Sequence, residues 1–218
     1  MSAGSLTSAG QASSRAGRRP SARERLLAAA DELFYAEGVH TVGIDRIIEH
    51  AGVAKASLYS SFGSKDELVR AYLQGRHEAR RVRLLGRLEQ FDNPRDKLHG
   101  VFDYLGELAE SSNFRGCAFY NASAEGPNGA GSGAEVCEIN RAWTRELFTT
   151  LAASAGAREP ATLAAQLVLL YDGSTVGARM DRSAAPTATA KVVAAMLLDA
   201  AVGRTTPQQV TADVIRPS

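Results

Sequence analysis

The clearest chemical pattern in this chain is a group of small or charged polar side chains within one short segment. They are Lys55, Ser57, Ser60 and Ser61. If the segment is a helix, burial of Leu58 and Phe62 leaves these polar side chains on the outer face. A helix that enters the DNA major groove, which is about 12 Å wide, needs such side chains because they must reach base edges. The pattern therefore predicts a helix that forms hydrogen bonds with DNA bases.

Two nearby residues are candidate anchors to the phosphate backbone. Tyr59 has a hydroxyl that can hydrogen-bond a phosphate, and Lys65 stands at the start of the next predicted helix. Backbone N–H groups and the dipole at a helix start favour an anion. Contacts of this kind position a protein on DNA without specifying the sequence.

The elements around this segment are also predicted to be helices. From Ser21 onward apolar residues recur three and four apart, and no stretch alternates with period two for the length of a strand. A first helix opens with a capping box of Ser21 and Glu24 and ends at Gly38. A second helix is followed by a tight turn at Gly52 and then by the short polar helix. The sequence predicts an all-α fold with a helix-turn-helix over residues 43–62.

Further helices are predicted toward the C-terminus from their start signals. These signals are Ser64 with Glu67, Asn93 with Pro94, Gly116, and Ser132 with Glu135. The helix that opens at Ser132 is expected to bury Val136, Ile139, Trp143, Leu147 and Leu151. The stretch 163–171 is apolar almost all round, and the last helix has an apolar face of Val192, Val193, Met196, Leu197 and Ala200. Such helices must be covered, either inside their own domain or by a second chain.

The segment GIDRIIEHAGVAKASLYSSFGSKDEL resembles the DNA-binding region of the tetracycline-repressor (TetR) family of bacterial regulators, over about Ser21 to Leu68. The resemblance implies an all-helical homodimer with an N-terminal three-helix DNA-binding domain. It also implies a larger C-terminal helical domain that pairs the subunits and holds a ligand pocket. The family's DNA-contacting positions fall here on Gly43, Lys55, Ala56, Ser57, Tyr59, Ser61 and Lys65. Weaker resemblances to ligand-domain segments occur at residues 115–125 and 167–179.

Two positions depart from the family pattern. Gly43 and Ala54 stand where Ser or Thr commonly caps the second and third helices. Both caps are expected to be weaker, by about 0.5 to 2 kcal/mol at Ala54 and by only tenths at Gly43. Ser60 and Ser61 replace aromatic or His side chains that are frequent in the family, so no particular operator sequence is transferred.

The chain is expected to divide into four parts. Residues 1–20 are predicted to be a disordered basic arm, from which Arg15, Arg18 and Arg19 reach DNA; a plain tail or a transit peptide are the alternatives. Residues 21–66 form the DNA-binding domain and residues 67–204 the effector-binding and dimerisation domain. Residues 205–218 are expected to be a flexible tail.

The effector pocket is predicted from aromatic and polar residues of the larger domain. The candidates are Phe102, Leu105, Tyr120, Asn121, Glu125, Trp143, Tyr171 and Asp172. Aromatic residues at helical spacing more often belong to a core than to a pocket, and Asp172 is also a candidate for the dimer contact. We expect pairing through residues 161–177 and 187–202, with recognition helices about 34 to 36 Å apart. A small apolar or amphipathic effector would then widen this separation and release a palindromic operator, which makes the chain a repressor.

The remaining features favour no other class of protein. We find no nucleophile with a base, no paired carboxylates and no metal-ligand spacing among the four histidines, so we predict no enzyme activity, no metal and no cofactor. Cys117 and Cys137 fit buried reduced thiols better than a redox switch. No signal peptide or membrane span is expected, so the protein is placed in the cytoplasm, at the bacterial nucleoid. A binding protein with a vestigial helix-turn-helix is the main competing hypothesis.

A series of arginines and a glycine-rich segment each have two interpretations. The arginines are Arg76, Arg80, Arg83 and Arg87, which share one helical face. A solvated face is favoured over a contact with DNA or an acidic partner. The glycines of residues 126–133 are interpreted as an inter-helix loop, because a phosphate-binding loop would end in Lys-Ser or Lys-Thr after a strand.

Overall fold

The computed structural model describes residues 18–125, 131 and 133–202, and every regular element within them is a helix. The helices are α1 (Ala22–Glu37), α2 (Ile44–Ala51), α3 (Lys55–Phe62), α4 (Lys65–Leu88), α5 (Pro94–Ala109), α6 (Ala118–Glu125), α7 (Ala134–Ser154), α8 (Pro160–Asp181) and α9 (Ala185–Val202). The predicted all-α fold is confirmed. Arg15 of the predicted arm, most of the glycine-rich segment and the C-terminal tail lie outside the described residues.

Helix α1 begins and ends where its sequence signals predict. The Glu24 backbone N–H donates to Ser21 Oγ at 3.2 Å, and the Ser21 N–H donates to the Glu24 carboxylate at 2.7 Å. This second hydrogen bond lowers the pKa of Glu24. Gly38, with φ of 100°, ends the helix and donates its N–H to Phe34.

Helix α4 connects two hydrophobic cores. Its start is capped by Ser64, whose Oγ accepts the Glu67 N–H at 3.1 Å, while the Glu67 side chain forms an ion pair with Arg70. The first turns of α4 pack with α1 to α3, α6 and the start of α7, which together form the head core. Its last turns, with Leu84 and Leu88, pack with α5, α7, α8 and α9 in the second core. The 24-residue helix therefore links the helix-turn-helix rigidly to the larger bundle.

The start and the buried face of α7 differ from the prediction. The N-cap is Gly133 rather than Ser132, and its φ of 96° is the left-handed conformation that favours glycine. A Cβ at this position would lie 2.6 Å from Leu73 Cδ1, so glycine also permits the close approach of α4. Ile139, predicted to be buried, is 48% exposed, and the adjacent Asn140 is buried instead.

Helices α8 and α9 bury one side and leave an apolar stripe exposed. The inner side of α9 is formed by Thr187, Ala190, Ala194 and Leu198. The exposed side chains, which we call the apolar stripe, are Leu169, Val176, Met180, Val192, Val193 and Met196. Val192 and Met196 are therefore not covered within the single chain, so of the two predicted alternatives only coverage by a second chain applies to them.

One helix meets a simple test for a membrane span, which the sequence was not expected to do. Helix α9 is long and apolar enough by length and composition alone. A core helix of a soluble protein meets the same test, and α9 packs closely against α5 and α8.

Candidate nucleic-acid interface and ligand cavity

The turn between α2 and α3 is held by both its backbone and α1. Gly52 has φ of 60° and ψ of 45°, and its N–H donates to the carbonyls of Ile48 and Glu49. From α1, Arg25 Nη1 donates to the carbonyl oxygens of Ala51 at 3.2 Å and Gly52 at 2.9 Å. The angle between α2 and α3 is thus fixed by a third helix. The role of Arg25 cannot be predicted from the sequence, because its partners are backbone carbonyls that no residue pattern reveals.

Helix α3 has the division into inner and outer faces that its sequence predicts. Leu58 is fully buried, and Phe62 is half-buried beneath the guanidinium of Arg23, which lies 4.8 Å from the ring centroid. Tyr59 is 47% exposed. On the outer face, Lys55, Ala56 and Ser60 are exposed, while Ser57 and Ser61 are half-buried. The buried Leu58 therefore holds α3 with its polar side chains on the outer face.

The two weakened caps are present where they were predicted. Gly43 and Ala54 are the N-cap residues of α2 and α3, and neither provides a side-chain hydrogen bond. Ala54 has φ of −73° and ψ of 149°, the extended conformation that a Ser or Thr cap also adopts. Gly43 is exposed.

Several candidate DNA-contacting cations already have partners. Lys55 Nζ lies 2.9 Å from Asp45 Oδ1 on α2, and this hydrogen bond raises the pKa of Lys55. Lys65 is half-buried near the Phe34 ring, and burial lowers its pKa. Arg18 forms an exposed ion pair with Glu24 at 2.8 Å, whereas Arg19 is exposed to solvent. Because exposed ion pairs are weak, phosphates can replace these carboxylates at little cost.

A large cavity of about 1480 Å³ lies among α1, α4, α5, α6, α7 and α8. Five of the predicted effector residues line it, namely Leu105, Tyr120, Asn121, Tyr171 and Asp172. Two residues of α1, Asp31 and Tyr35, form part of the same wall. The cavity therefore touches the helix that holds the turn of the helix-turn-helix.

Three predicted effector residues lie outside the cavity wall. Phe102 is fully buried in the second core, with its ring 6.0 Å from that of Phe148. Trp143 packs beside His77, 5.7 Å between ring centroids. Glu125 accepts a hydrogen bond from the backbone N–H of His40 at 2.8 Å, which connects the end of α6 to the loop after α1. The first two are core aromatics, and the third makes a contact 85 residues away in sequence that spacing cannot predict.

The arginine series of α4 is a solvated face only in part, because Arg83 is exposed whereas the other three arginines are half-buried. Arg76 donates to Asp31 at 2.7 and 3.0 Å and lies 3.8 Å from the Tyr35 ring centroid. Arg80 Nη1 donates to Asn140 Oδ1 at 2.7 Å and to Thr144 Oγ1 at 3.1 Å. Asn140 and Thr144 of α7 can be buried because Arg80 donates hydrogen bonds to both of them. Arg76, Arg80 and Arg83 all line the cavity, while Arg87 pairs with Glu107.

A second contact joins α1 to the segment before α6. The Tyr35 hydroxyl donates to the Gly116 carbonyl at 3.0 Å and accepts the Arg115 N–H at 2.9 Å. Cys117 follows directly and lines the cavity, as does Cys137, whose pKa is raised to about 11 by burial. A raised pKa disfavours the reactive thiolate of Cys137, although both cysteines are half-buried rather than buried as predicted.

Comparisons with known proteins agree with this geometry. The model of the family described as bacterial regulatory proteins, tetR family, matches residues 26–72. The solved structure of SCO4454, a TetR-family transcriptional regulator from Streptomyces coelicolor, is 32% identical with a TM-score of 0.79. The structural match covers 84% of this chain and 96% of the SCO4454 chain. The chain belongs to the TetR family. A TetR regulator from Streptomyces avermitilis, sav143, is 34% identical with a TM-score of 0.73, over 84% of this chain and 98% of its own.

Curated relatives of this TetR-family regulator match over shorter stretches. The transcriptional activator FasR of Mycolicibacterium smegmatis is 48% identical over 56 residues, which are 26% of each protein. The regulator LmrA of Bacillus subtilis is 32% identical over 88 residues, 40% of this chain and 45% of LmrA. The chain thus spans less than half the length of these curated relatives.

Membership of the TetR family settles the broad class of the protein. It is a DNA-binding transcriptional regulator with a helix-turn-helix, and the prediction that it is not an enzyme is confirmed because TetR-family proteins are regulators. Members of the family are cytoplasmic proteins that bind operators as dimers and respond to small ligands.

Proposed function

We propose that this TetR-family regulator is a homodimeric repressor that binds a palindromic operator and is released by a small amphipathic effector. The observation that carries the proposal is the outer face of α3, where polar side chains surround a single buried anchor, Leu58. We assign the DNA contacts to Arg18, Arg19, Gly43, Lys55, Ala56, Ser57, Tyr59, Ser61 and Lys65.

Pairing of two chains is supported by the apolar stripe of α8 and α9. Leu169 is 73% exposed and Met196 is 65% exposed in the single chain. Exposed large apolar side chains on two neighbouring helices are typical of an interface between chains. Two copies of α8 and α9 would form a four-helix interface and place the two α3 helices in successive major grooves, about 34 to 36 Å apart.

The release of DNA is supported by the shared wall of the cavity. Asp31 and Tyr35 belong to α1, and so does Arg25, which holds the turn before α3. An effector that binds better when α1 and α4 are tilted would lower operator affinity by its differential binding free energy. Leu105, Tyr120, Asn121, Tyr171 and Asp172 are the effector contacts that we propose.

We also propose a division of the chain into an arm, a DNA-binding domain and an effector and dimer domain. Residues 21–66 would form the reading head and residues 67–204 the effector and dimer domain, preceded by an arm over residues 1–20. The head core extends into the first turns of α4, which supports α4 as the mechanical link. In the cell, we expect the protein at the nucleoid.

Activation of transcription is the second candidate function. The 48% identity to FasR, which is named an activator, covers only 56 residues, so it does not decide the regulatory outcome. A reporter gene behind the bound operator distinguishes the two functions. Deletion of the regulator raises expression if it is a repressor and lowers expression if it is an activator.

DNA binding is tested with fragments that the purified protein selects from genomic DNA. We expect Lys65→Ala to weaken binding to all sequences alike and to reduce the salt slope by about one. Ser57→Ala should instead reduce the difference in affinity between operator and unrelated DNA. Lys97→Ala, on α5 and far from the head, is the control. An unchanged affinity and salt slope for Lys65→Ala would contradict the phosphate contact, and a wild-type protein without sequence preference would favour a vestigial head.

Dimerisation is tested by placing a charge in the apolar stripe. We expect Met196→Glu to convert the dimer to a monomer in sedimentation analysis, because an unpaired carboxylate cannot be buried at low cost. Ala153→Glu on the exposed side of α7 should leave the dimer intact. A dimer that persists with Met196→Glu would place the interface elsewhere.

A further inference from the structure

We infer that the effector is an organic carboxylate with an apolar body and that Arg80 binds its carboxylate. The inference rests on the proposed function, because it takes the cavity to be the effector site. It adds the charge and the binding group of the ligand.

Arg80 is half-buried among α4, α7 and α8. Its guanidinium is 5.1 Å from the Trp143 ring centroid and 5.4 Å from that of Tyr171, and its Nη1 donates only to the neutral oxygens of Asn140 and Thr144. Part of the side chain nevertheless faces the cavity. Within the described ranges, no carboxylate lies within 4 Å of this guanidinium.

A guanidinium in this position remains charged, because arginine is not deprotonated in proteins. A half-buried charge without a counter-ion is partly desolvated, and neutral acceptors satisfy only part of its hydrogen-bonding capacity. Arg80 is therefore a site that gains from the arrival of an anion. A carboxylate is the best match, since its two oxygens fit the planar N–H fork.

The rest of the cavity has the same sign of charge. Its wall contains the arginines Arg76, Arg80, Arg83, Arg141 and Arg179 and the acids Asp31, Glu138 and Asp172. Asp31 already pairs with Arg76, and Asp172 already pairs with Arg141. Arg179 donates to the neutral Asn121 at 2.5 Å. The cavity is thus positive overall in a chain whose formal net charge is only +1.

Apolar side chains complete the site. Leu105, Leu108, Phe114, Val176 and Met180 line the same cavity. A volume of about 1480 Å³ exceeds that of most drug-sized pockets, about 300 to 1,000 Å³. The ligand would accordingly have one charged end at Arg80 and a large hydrocarbon or aromatic body.

The test measures the binding of matched probes to the purified full chain by calorimetry, without DNA. The series is hexanoate to dodecanoate, each compared with the alcohol and the amine of the same chain length. We expect the carboxylates to bind most tightly and Arg80→Gln to weaken them about 30-fold. Arg145→Gln, an exposed α7 residue away from the cavity wall, should bind them as the wild type does.

Thermal unfolding of the free variants provides the folding control. Arg80→Gln removes the charge but keeps an N–H donor for Asn140, so the variant should still unfold in one cooperative transition, as Arg145→Gln does. Alcohols that bind as tightly as carboxylates, an unchanged carboxylate affinity in Arg80→Gln, or no carboxylate binding at millimolar concentration would each overturn the inference. Operator binding is measured separately, so a protein that binds DNA but no carboxylate refutes only this inference, and one that binds carboxylates but not DNA refutes only the proposed function.

Discussion

In the helix-turn-helix, the polar side chains of α3 lie at the surface, and the buried Leu58 holds them there. In the cavity, the polar side chains of α4 and α7 lie deep between helices and hold each other, as Arg80 does with Asn140 and Thr144. The first arrangement suits a rigid external partner such as DNA. The second creates an internal site whose charge is balanced only by what enters it. Helix α4 therefore connects two different kinds of site, one with its polar side chains at the surface and one with its polar side chains between helices.

The largest effect is expected from the apolar anchor of the head. Leu58→Ala removes a fully buried side chain and should cost about 2 to 5 kcal/mol of unfolding free energy, because a cavity replaces its contacts. Urea denaturation measures this loss. Ser60→Ala, on the exposed face of the same helix, should change stability by less than about 0.5 kcal/mol. Equal losses of unfolding free energy in the two variants would show that Leu58 does not anchor the helix more than the exposed Ser60 does.

A pH experiment examines the cavity wall. Burial raises the pKa of Cys137 to about 11, so at pH 8 only about one thiol in a thousand is ionised. In a Cys117→Ser variant, iodoacetamide should alkylate the folded protein on the order of a hundredfold more slowly than an unstructured peptide. The rate should rise with pH until about pH 11. Alkylation at the peptide's rate at pH 8 would show that the wall is open to solvent.

The connection between the two sites can be weakened at one hydroxyl. Tyr35→Phe removes a group that both donates to Gly116 and accepts from Arg115, and should cost about 1 to 3 kcal/mol of stability. Tyr120→Phe is the matched control, since Tyr120 is exposed. Chemical denaturation compares the two. A Tyr35→Phe protein as stable as Tyr120→Phe would mean that this contact contributes nothing to the link.

The sequence predicted the head well because its signals are local. The Ser21 cap, the turn at Gly52 and the apolar anchor Leu58 all depend on neighbours within a few positions. It predicted the cavity only in part, because the arginines of α4 were assigned to a solvated face. The half-buried Arg80 satisfies the buried Asn140, and the two residues lie 60 positions apart in sequence.

The weakened cap of α3 gives the smallest effect. Ala54 has the backbone conformation of an N-cap without the side-chain oxygen, so Ala54→Ser should stabilise the protein by about 0.5 to 2 kcal/mol. Each 1 kcal/mol corresponds to about 2 to 4 °C in Tm for a chain of this size. Gly43→Ser should gain only tenths of a kcal/mol. A melting temperature that is unchanged or lower for Ala54→Ser would place the start of α3 elsewhere.

The most direct test of the account is a hydroxyl-radical footprint of the purified protein on an operator selected from genomic DNA. Two α3 helices on a paired molecule should protect two half-sites whose centres are one helical turn apart, about 34 to 36 Å. Addition of an effector should remove both protected regions together. A single protected half-site, or equal protection of unrelated DNA, would contradict the account.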